Sequence, residues 1–560
     1  MALETSKINV LRTAGRIDLV VIAAIVICMT TLYVSTRELV VNEDGMKYVV
    51  MANREDTVGY LQDVPRTKTF EETVTRNPSW RDFEPNSLLY MKAARGLVAT
   101  LQALGYEGNG EFPLVVLDAL AGAVGVALMY SILKGMFSGI LLPLTLSIGL
   151  GVCNGFWLKS SGVEKYALPQ VFMIIAFWAA FKSMDKPKIR YGVVTGIAHA
   201  LAIAFHMQTA TMVLFLFPFM AARLFRGDRR RIVWMLISYA VVAAVVSSAA
   251  FFGAWFLSQE SRSLSQTMAD YRLERKAALL PFCWGGVVRS PLSILRGYVP
   301  MTVRNGTMIK AWAAAKSLLV VAVGVFILAC FFRNHWRRSF LRLTFLVSFV
   351  LILLPTMVSL PVYYASLVEG GIFLLPLVWL MAGLALKTQL SIVGTRGKWI
   401  TKSVAMCVVA ALFLVNFFDG ALPRSKDDLV IRKAEILARK LPEDALVISQ
   451  GVDFVRYVPY YTGKRMRLIW LWTLRSRPGW TPEDTELYIE QAIENHLQSG
   501  RPVLVERLLA WMTGTTTTFS MAQTLPVKAV QQLLKRYQPS LFYRNNPLQI
   551  YVWELHAKKR

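Results

Sequence analysis

"IDLVVIAAIVICMTTLYVSTRELVVNEDGMKYVV", residues 17–50, decides how the chain is read. The apolar run from Leu19 to Val34 makes a membrane crossing of about 19–36. No small-residue cleavage motif follows it, so it reads as a retained anchor and not a signal peptide. Two acids, Glu43 and Asp44, then stand at the lip of that span. A glycine follows, then Met46, Val49 and Val50 at helical spacing. Acids suit a helix start, because the N-terminus carries partial positive charge. They also suit a general base or a metal site at a water–lipid boundary.

The whole chain agrees with a membrane reading. It has 560 residues, 55% of them hydrophobic, with fifteen Trp and thirty Phe for lipid-facing and interfacial surface. Mean hydropathy is +0.43. The net charge of +26 lies mostly in short clusters between apolar runs. That is the positive-inside pattern, and no nucleic-acid-binding motif accompanies it. The five cysteines form no CxxC, which argues against a disulfide framework or a zinc site.

About eleven spans follow from asking for roughly twenty apolar residues each: 19–36, 112–133, 138–157, 165–182, 191–206, 208–223, 232–257, 313–332, 343–361, 365–386 and 403–419. With that number, the clusters around Arg12, Lys186, Arg230, Arg337 and Lys398 all fall on one side, the cytoplasm. The other side receives the loops 37–111 and 258–312 and the tail 420–560. The membrane domain is therefore 1–419. The tail alternates helix and strand, and "TPEDTELYIEQAIENHLQSG" has a Thr cap, early acids and a terminal Gly. It is expected to be a soluble α/β domain with a largely parallel sheet. It lacks a P-loop or GxGxxG.

Polar residues gather on the outer side. Glu164 opens a span, with Lys165 and Tyr166 beside it, and Trp157 and Tyr166 offer belt or sugar-stacking aromatics. A capped helix start with an exposed ion pair explains Glu164 equally well. His199 and His206 are seven apart and so share a helix face; His206, Gln208 and Thr209 fall at its outer end. Such groups face a bundle interior, as a helix contact or as a site wall. Residues 87–104 form an amphipathic helix with Leu88, Leu89, Ala93, Leu97, Leu101 and Leu104 near one face. The 258–312 loop carries Arg262, Arg272, Arg275, Lys276, Arg289, Arg296 and Arg304 on the side where basic residues should be sparse. They suit lipid headgroups or a phosphate on a lipid-linked substrate. Glu369 is expected on the same side, as a partner for one of them.

The order of these pieces resembles the GT-C superfamily of integral-membrane glycosyltransferases that use polyprenyl-phosphate sugars. The pieces are "NEDGMKYVVMA" (42–52), "EPNSLLYMKAARGL" (84–97), "FWLKSSGVEKYAL" (156–168) and "FHMQTA" (205–210). The last two especially resemble a bacterial subgroup of the protein mannosyltransferase type. Motif order is matched over roughly 15–225, and layout alone beyond. The chain departs at Glu84-Pro85, where many members have His-Pro, and at Lys165, where many have a small or β-branched residue.

The resemblance implies an α-helical polytopic fold and transfer of a hexose or pentose from a polyprenyl-phosphate donor to an acceptor hydroxyl. It implies that Asp44 takes the catalytic acid position and that Glu164 matches the acid of the second outer turn. Glu43, His206, Gln208 and Tyr166 join them as orienting or binding residues. From the charge of the outer loop, Arg296 and Arg304 are expected to hold the phosphate, and Glu369 is expected to pair with one of the loop arginines. A divalent cation on the acids stays open, since no diagnostic ligand spacing is present. Expected partners are the lipid donor, membrane lipid and a glycan, lipid or protein acceptor, with no nucleic acid. The expected place is a bacterial inner membrane, with the tail outside the cytoplasm to bind acceptor or partner. The alternatives are a transporter or flippase of a lipid-linked or anionic solute and a polysaccharide polymerase or ligase.

Overall fold

The computed structural model describes residues 2–41, 43–53, 87–225, 229–257, 298–299, 344–353, 372–449, 453–464, 466–471, 480–506, 536–548 and 550–558. The chain forms two compact units. One comprises Met1–Glu38, Phe83–Gln259 and Pro281–Lys426; the other comprises Leu39–Asp82, Glu260–Leu280 and Asp427–Arg560.

The first unit is helical. Its elements are α1 (Ala2–Ser35), α3 (Leu88–Ala103), α4 (Glu111–Lys134), α5 (Leu141–Gly151), α6 (Asn154–Ser160), α7 (Ala167–Asp185), α8 (Ile189–Phe205), α9 (Val213–Ala221), α10 (Arg229–Leu257), α11 (Thr344–Leu353), α12 (Leu375–Ile392) and α13 (Thr395–Asn416). Among the described residues, seven helices are long and apolar enough to cross a membrane, or up to eight if a bent pair counts as one span. The expected span at 313–332 lies outside the described residues, and only Thr344–Leu353 of the one at 343–361 is described. The expected span at 191–206 is α8, a predominantly apolar helix of 17 residues. The spans of α1 and α10 bury little of their surface within the protein, as suits helices whose other face meets lipid. By contrast α4 is buried on nearly all sides and packs against α1, α5 and α7.

The expected span at 138–157 is bent. Helices α5 and α6 meet at 68° around Val152 and Cys153. A break inside a membrane bundle survives only if neighbours satisfy the freed carbonyls, and they do. Tyr33 Oη donates to the Gly151 carbonyl at 2.9 Å, and Asn416 Nδ2 donates to that of Val152 at 2.5 Å. Gly122 of α4 lets α6 lie close: a Cβ there would meet Ser160 Oγ at 2.3 Å. The bend thus fixes where the polar residues of α6 point.

His199 and His206 do not share a helix face. Helix α8 ends at Phe205, and His206 is extended (φ −156°, ψ 110°), capping a 3-10 turn, Met207–Met212. His199 Nε2 lies 3.0 Å from the Thr209 carbonyl, so that nitrogen carries the proton; Nδ1 then accepts from Tyr239 Oη at 2.9 Å. On α3 the residues buried within the protein differ from most of the leucine face expected to lie on the bilayer, whose Leu89, Ala93, Leu97 and Leu101 are half-buried. Leu88, Tyr90, Met91, Ala94 and Val98 are buried, while Leu104 is exposed.

The second unit holds α2 (Glu43–Asn53), α14 (Leu429–Lys440), α15 (Pro482–Gln498) and a five-stranded sheet. The strands are β1 (Leu446–Ser449), β2 (Arg467–Trp470), β3 (Val503–Glu506), β4 (Tyr537–Asn545) and β5 (Ile550–Ala557), in the order β2-β1-β3-β5-β4. β1 runs parallel to β2 and β3, whereas β5 is antiparallel to β3 and β4. The sheet is therefore mixed and not largely parallel. Successive residues face opposite sides. Leu446, Ile448, Ile469 and Val505 pack with Tyr488, Ile489 and Ile493 of α15. Val447, Leu468 and Leu504 pack with Ala434 and Leu437 of α14. Thr481 and Asp484 close the α15 capping box, each bonding the other's backbone N–H.

Candidate functional site

In the helical unit, the turn joining α6 to α7 carries a buried polar cluster. Lys159, in the last turn of α6, points its ammonium at Glu164 Oε1, 2.5 Å away, with both side chains under a tenth exposed. The Glu164 backbone N–H donates to Asp118 Oδ2 at 2.9 Å, and Tyr90 Oη donates to the same oxygen at 2.8 Å. Asp118 is fully buried on α4, so one carboxylate ties the turn to α4 and, through Tyr90, to α3. Its second oxygen, Oδ1, has no hydrogen-bond partner among the described residues.

Aromatic rings wall this ion pair. The Lys159 ammonium stands 4.8 Å from the Tyr166 ring centre, a favourable cation–π distance. Tyr166 lies against His206 (4.7 Å) and Phe373 (6.0 Å), and His206 against Phe373 (5.4 Å).

A second ion pair borders the first. Past its span, α1 ends near Glu38, whose backbone N–H donates to the Ser161 carbonyl at 3.1 Å. The Glu38 carboxylate lies 3.5 Å from Arg424 Nε, and Arg424 Nη1 donates to Asn154 Oδ1 at 3.2 Å. A π turn, Phe417–Ala421, extends α13 and delivers Arg424 through Leu422–Arg424. Burial raises the pKa of Glu38, and the charges of Arg424 and Lys159 pull it back. Trp157 Nε1 donates to Thr36 Oγ1 at 2.8 Å, fixing α6 to the end of α1. With buried Lys165, three cations stand among three carboxylates. Charges in a membrane bundle are costly unless paired or used, and among the described residues of this unit the buried charged side chains, Asp118, Lys159, Glu164 and Lys165, all lie in this cluster.

Several expected residues meet here. Glu164, Tyr166 and His206 are together, as the sequence suggested. The partner of Glu164 is Lys159, five residues back across the turn, in a buried pair. Trp157 is no belt aromatic: it is fully buried against Tyr33 and Phe413. Gln208 is exposed, and its backbone N–H donates to His206 Nδ1 at 3.3 Å. Glu43 and Asp44 form the first two residues of α2, in the other unit; their side chains lie outside what is described. Arg296, Arg304 and Glu369 also lie outside the described residues. Among the described residues, no three His, Cys, Asp or Glu side chains converge as metal ligands.

Sequence reading passed over Asp118, Tyr90, Lys159, Glu38 and Arg424. Asp118 carried a usable signal, as the one charged residue inside the apolar run 112–133. Asp118→Ala is expected to remove the acceptor shared by two buried donors, at about 1–3 kcal/mol in all. Tyr90→Phe, which removes one donor along with its bond, is expected to cost about 1 kcal/mol. Thermal unfolding in one detergent at one pH compares them; equal melting temperatures for the two variants would refute the clamp.

No known family's sequence pattern matches the chain, and no curated protein matches it. Solved structures do. ArnT from Cupriavidus metallidurans bound to undecaprenyl phosphate superposes with a TM-score of 0.53 at 13% identity, covering 96% of this chain and 97% of that one. The same protein in the apo state gives 0.53 at 12%, covering 97% and 98%. The Archaeoglobus fulgidus oligosaccharyltransferase tethered with an acceptor peptide gives 0.52 at 12%, covering 95% of this chain and 74% of that one. The correspondence covers nearly the whole of this chain, so the chain shares its fold with ArnT and with the oligosaccharyltransferase.

Proposed function

We propose that the protein is an integral-membrane glycosyltransferase that moves a sugar from a polyprenyl-phosphate donor to an acceptor hydroxyl. The observation that carries this reading is the near-complete superposition on a structure bound to undecaprenyl phosphate. The buried Lys159–Glu164 pair and the half-buried Glu38–Arg424 pair place opposite charges side by side at one turn of the helical unit. In the reaction the acceptor oxygen attacks the anomeric carbon. The bond from that carbon to the phosphate oxygen breaks, and the polyprenyl phosphate leaves with the electron pair. Asp44 accepts the hydroxyl proton. Arg296 and Arg304 stabilise the charge that develops on the phosphate, with Glu369 as their carboxylate partner. Glu43, Glu164, His206, Tyr166 and Gln208 orient the substrates. The sugar is a hexose or a pentose. The protein sits in a bacterial inner membrane, with the reaction and the C-terminal unit on the extracytoplasmic side.

A bent span is also a transporter feature. Here, however, the carbonyls of Gly151 and Val152 at the bend are taken by Tyr33 and Asn416 rather than offered to a solute. The purified protein, incubated with a panel of polyprenyl-phosphate sugars labelled in the sugar and with a membrane extract, is expected to release polyprenyl phosphate and to pass label to an acceptor fraction. Movement of intact lipid-linked sugar between leaflets, with no cleavage, would favour the transporter reading instead.

A further inference from the structure

We infer that Tyr461 is a positioning residue for Asp44, so that the C-terminal unit serves the reaction by holding the start of α2. This rests on the reading of Asp44 as the base. The geometric tie is direct. The Val41 backbone N–H donates to Tyr461 Oη at 2.9 Å, three residues before Asp44 in the chain. Val41 is itself buried, and α2 beyond the acids is embedded through Met46, Tyr48, Val49, Val50 and Ala52. The same compact unit contains α2 and the sheet. The helix carrying Asp44 is thus anchored downstream by apolar burial and upstream by one phenol.

That phenol is rigidly mounted. Tyr461 lies on the short helix Val458–Thr462, whose Val458 is buried in the core beneath α14. Gly463 ends this helix at φ +68°, a left-handed conformation costly for any residue with a Cβ. The next residue, Lys464, donates from Nζ to the carbonyls of Ala438 and Leu441, closing the C-terminal end of α14. Tyr457 stacks on the Tyr461 ring at 6.4 Å, and Tyr460 meets it edge-on at 4.9 Å. Catalytic groups need support of this kind, because a small displacement of a base from its substrate costs much of the rate.

A purely structural account of the Val41–Tyr461 bond is that it satisfies one buried backbone donor. A double-mutant cycle separates the two. Tyr461→Phe is expected to lower kcat for sugar transfer about tenfold with the donor KM unchanged. In an Asp44→Asn background the same change is expected to lower kcat no further, since a displaced base and an absent base fail alike. Hydrogen exchange on the full-length protein gives a readout independent of activity: peptides covering residues 39–50 should exchange faster in Tyr461→Phe, while those of α15 stay unchanged. Faster exchange with full activity would overturn the positioning role, as would a tenfold loss that persists in the Asp44→Asn background. Full activity in Asp44→Asn alone would overturn the base assignment itself, and the exchange data would still report whether the tether exists.

Discussion

Asp44→Asn is expected to lower kcat for sugar transfer by about 10²–10⁴-fold, the usual contribution of a positioned general base. That corresponds to about 3–5 kcal/mol of barrier. The amide keeps the volume of the carboxylate and can still accept a hydrogen bond at the start of α2. What it cannot do is take the proton released as the acceptor oxygen attacks. Donor binding does not use that proton, so the KM for the lipid should change little, and the loss should fall on kcat. The pH profile gives a second check. The wild-type rate should fall as acid protonates the base, and that limb should vanish in the variant. The competing account makes Asp44 a helix-start acid, worth about 0.3–1 kcal/mol of stability through the helix dipole. On that account the variant melts slightly lower and transfers sugar normally. Measurement of kcat on purified protein at matched concentration distinguishes the two.

How much of this was readable in the chain differs by level. The helices were legible because their signal is local. Long apolar runs located α4, α7 and α10 to within a few residues and the C-terminal end of α1, whereas α12 starts at Leu375, well inside the span expected at 365–386; Thr481-Pro-Glu-Asp announced α15 with its capping box. β4 was missed. It is an edge strand with Pro539 inside it and many polar positions, and neither feature marks a strand in sequence. The α5–α6 bend was invisible for a related reason. Hydropathy does not change at Val152 and Cys153, and the partners that make a break tolerable, Tyr33 and Asn416, sit on helices remote in sequence. The candidate site divides in the same way. Glu164, Tyr166 and His206 stood out as polar residues at span ends. Lys159 did not, because its contact with Glu164 crosses a turn and not a helix face, so spacing rules have nothing to say. Glu38 and Arg424 meet only because α1 and the π turn after α13 end beside the same turn. Contacts of that kind are decided by packing, which a single sequence does not display.

The second large effect is expected at Lys159. Lys159→Met removes one partner of a buried pair and leaves the Glu164 carboxylate without this cation, beside the cluster that includes Asp118 and Glu38. Breaking such a pair from one side costs about 3–5 kcal/mol, because the remaining charge stays desolvated. Methionine keeps much of the volume, so cavity formation contributes little. Two further measurements make the electrostatic origin testable. First, the double variant Lys159→Met/Glu164→Gln should recover much of the lost stability, since neither side chain is then charged. Second, mild acid should partly rescue the single variant. The pKa of Glu38 is raised above its ordinary 4.5 by burial, and Lys159 is one of two cations that hold it down. Between 4.5 and the raised value the folded chain keeps a proton that the unfolded chain releases. That contribution is full below 4.5 and fades as pH rises through the raised value. Loss of Lys159 raises the folded value further, so at neutral pH the variant should lose more than the wild type, and moving toward pH 4.5 should narrow the gap. Thermal unfolding of both proteins across that range, in one detergent, measures it. A gap that is independent of pH, or a double variant no more stable than the single one, would mean that Lys159 contributes packing and not charge.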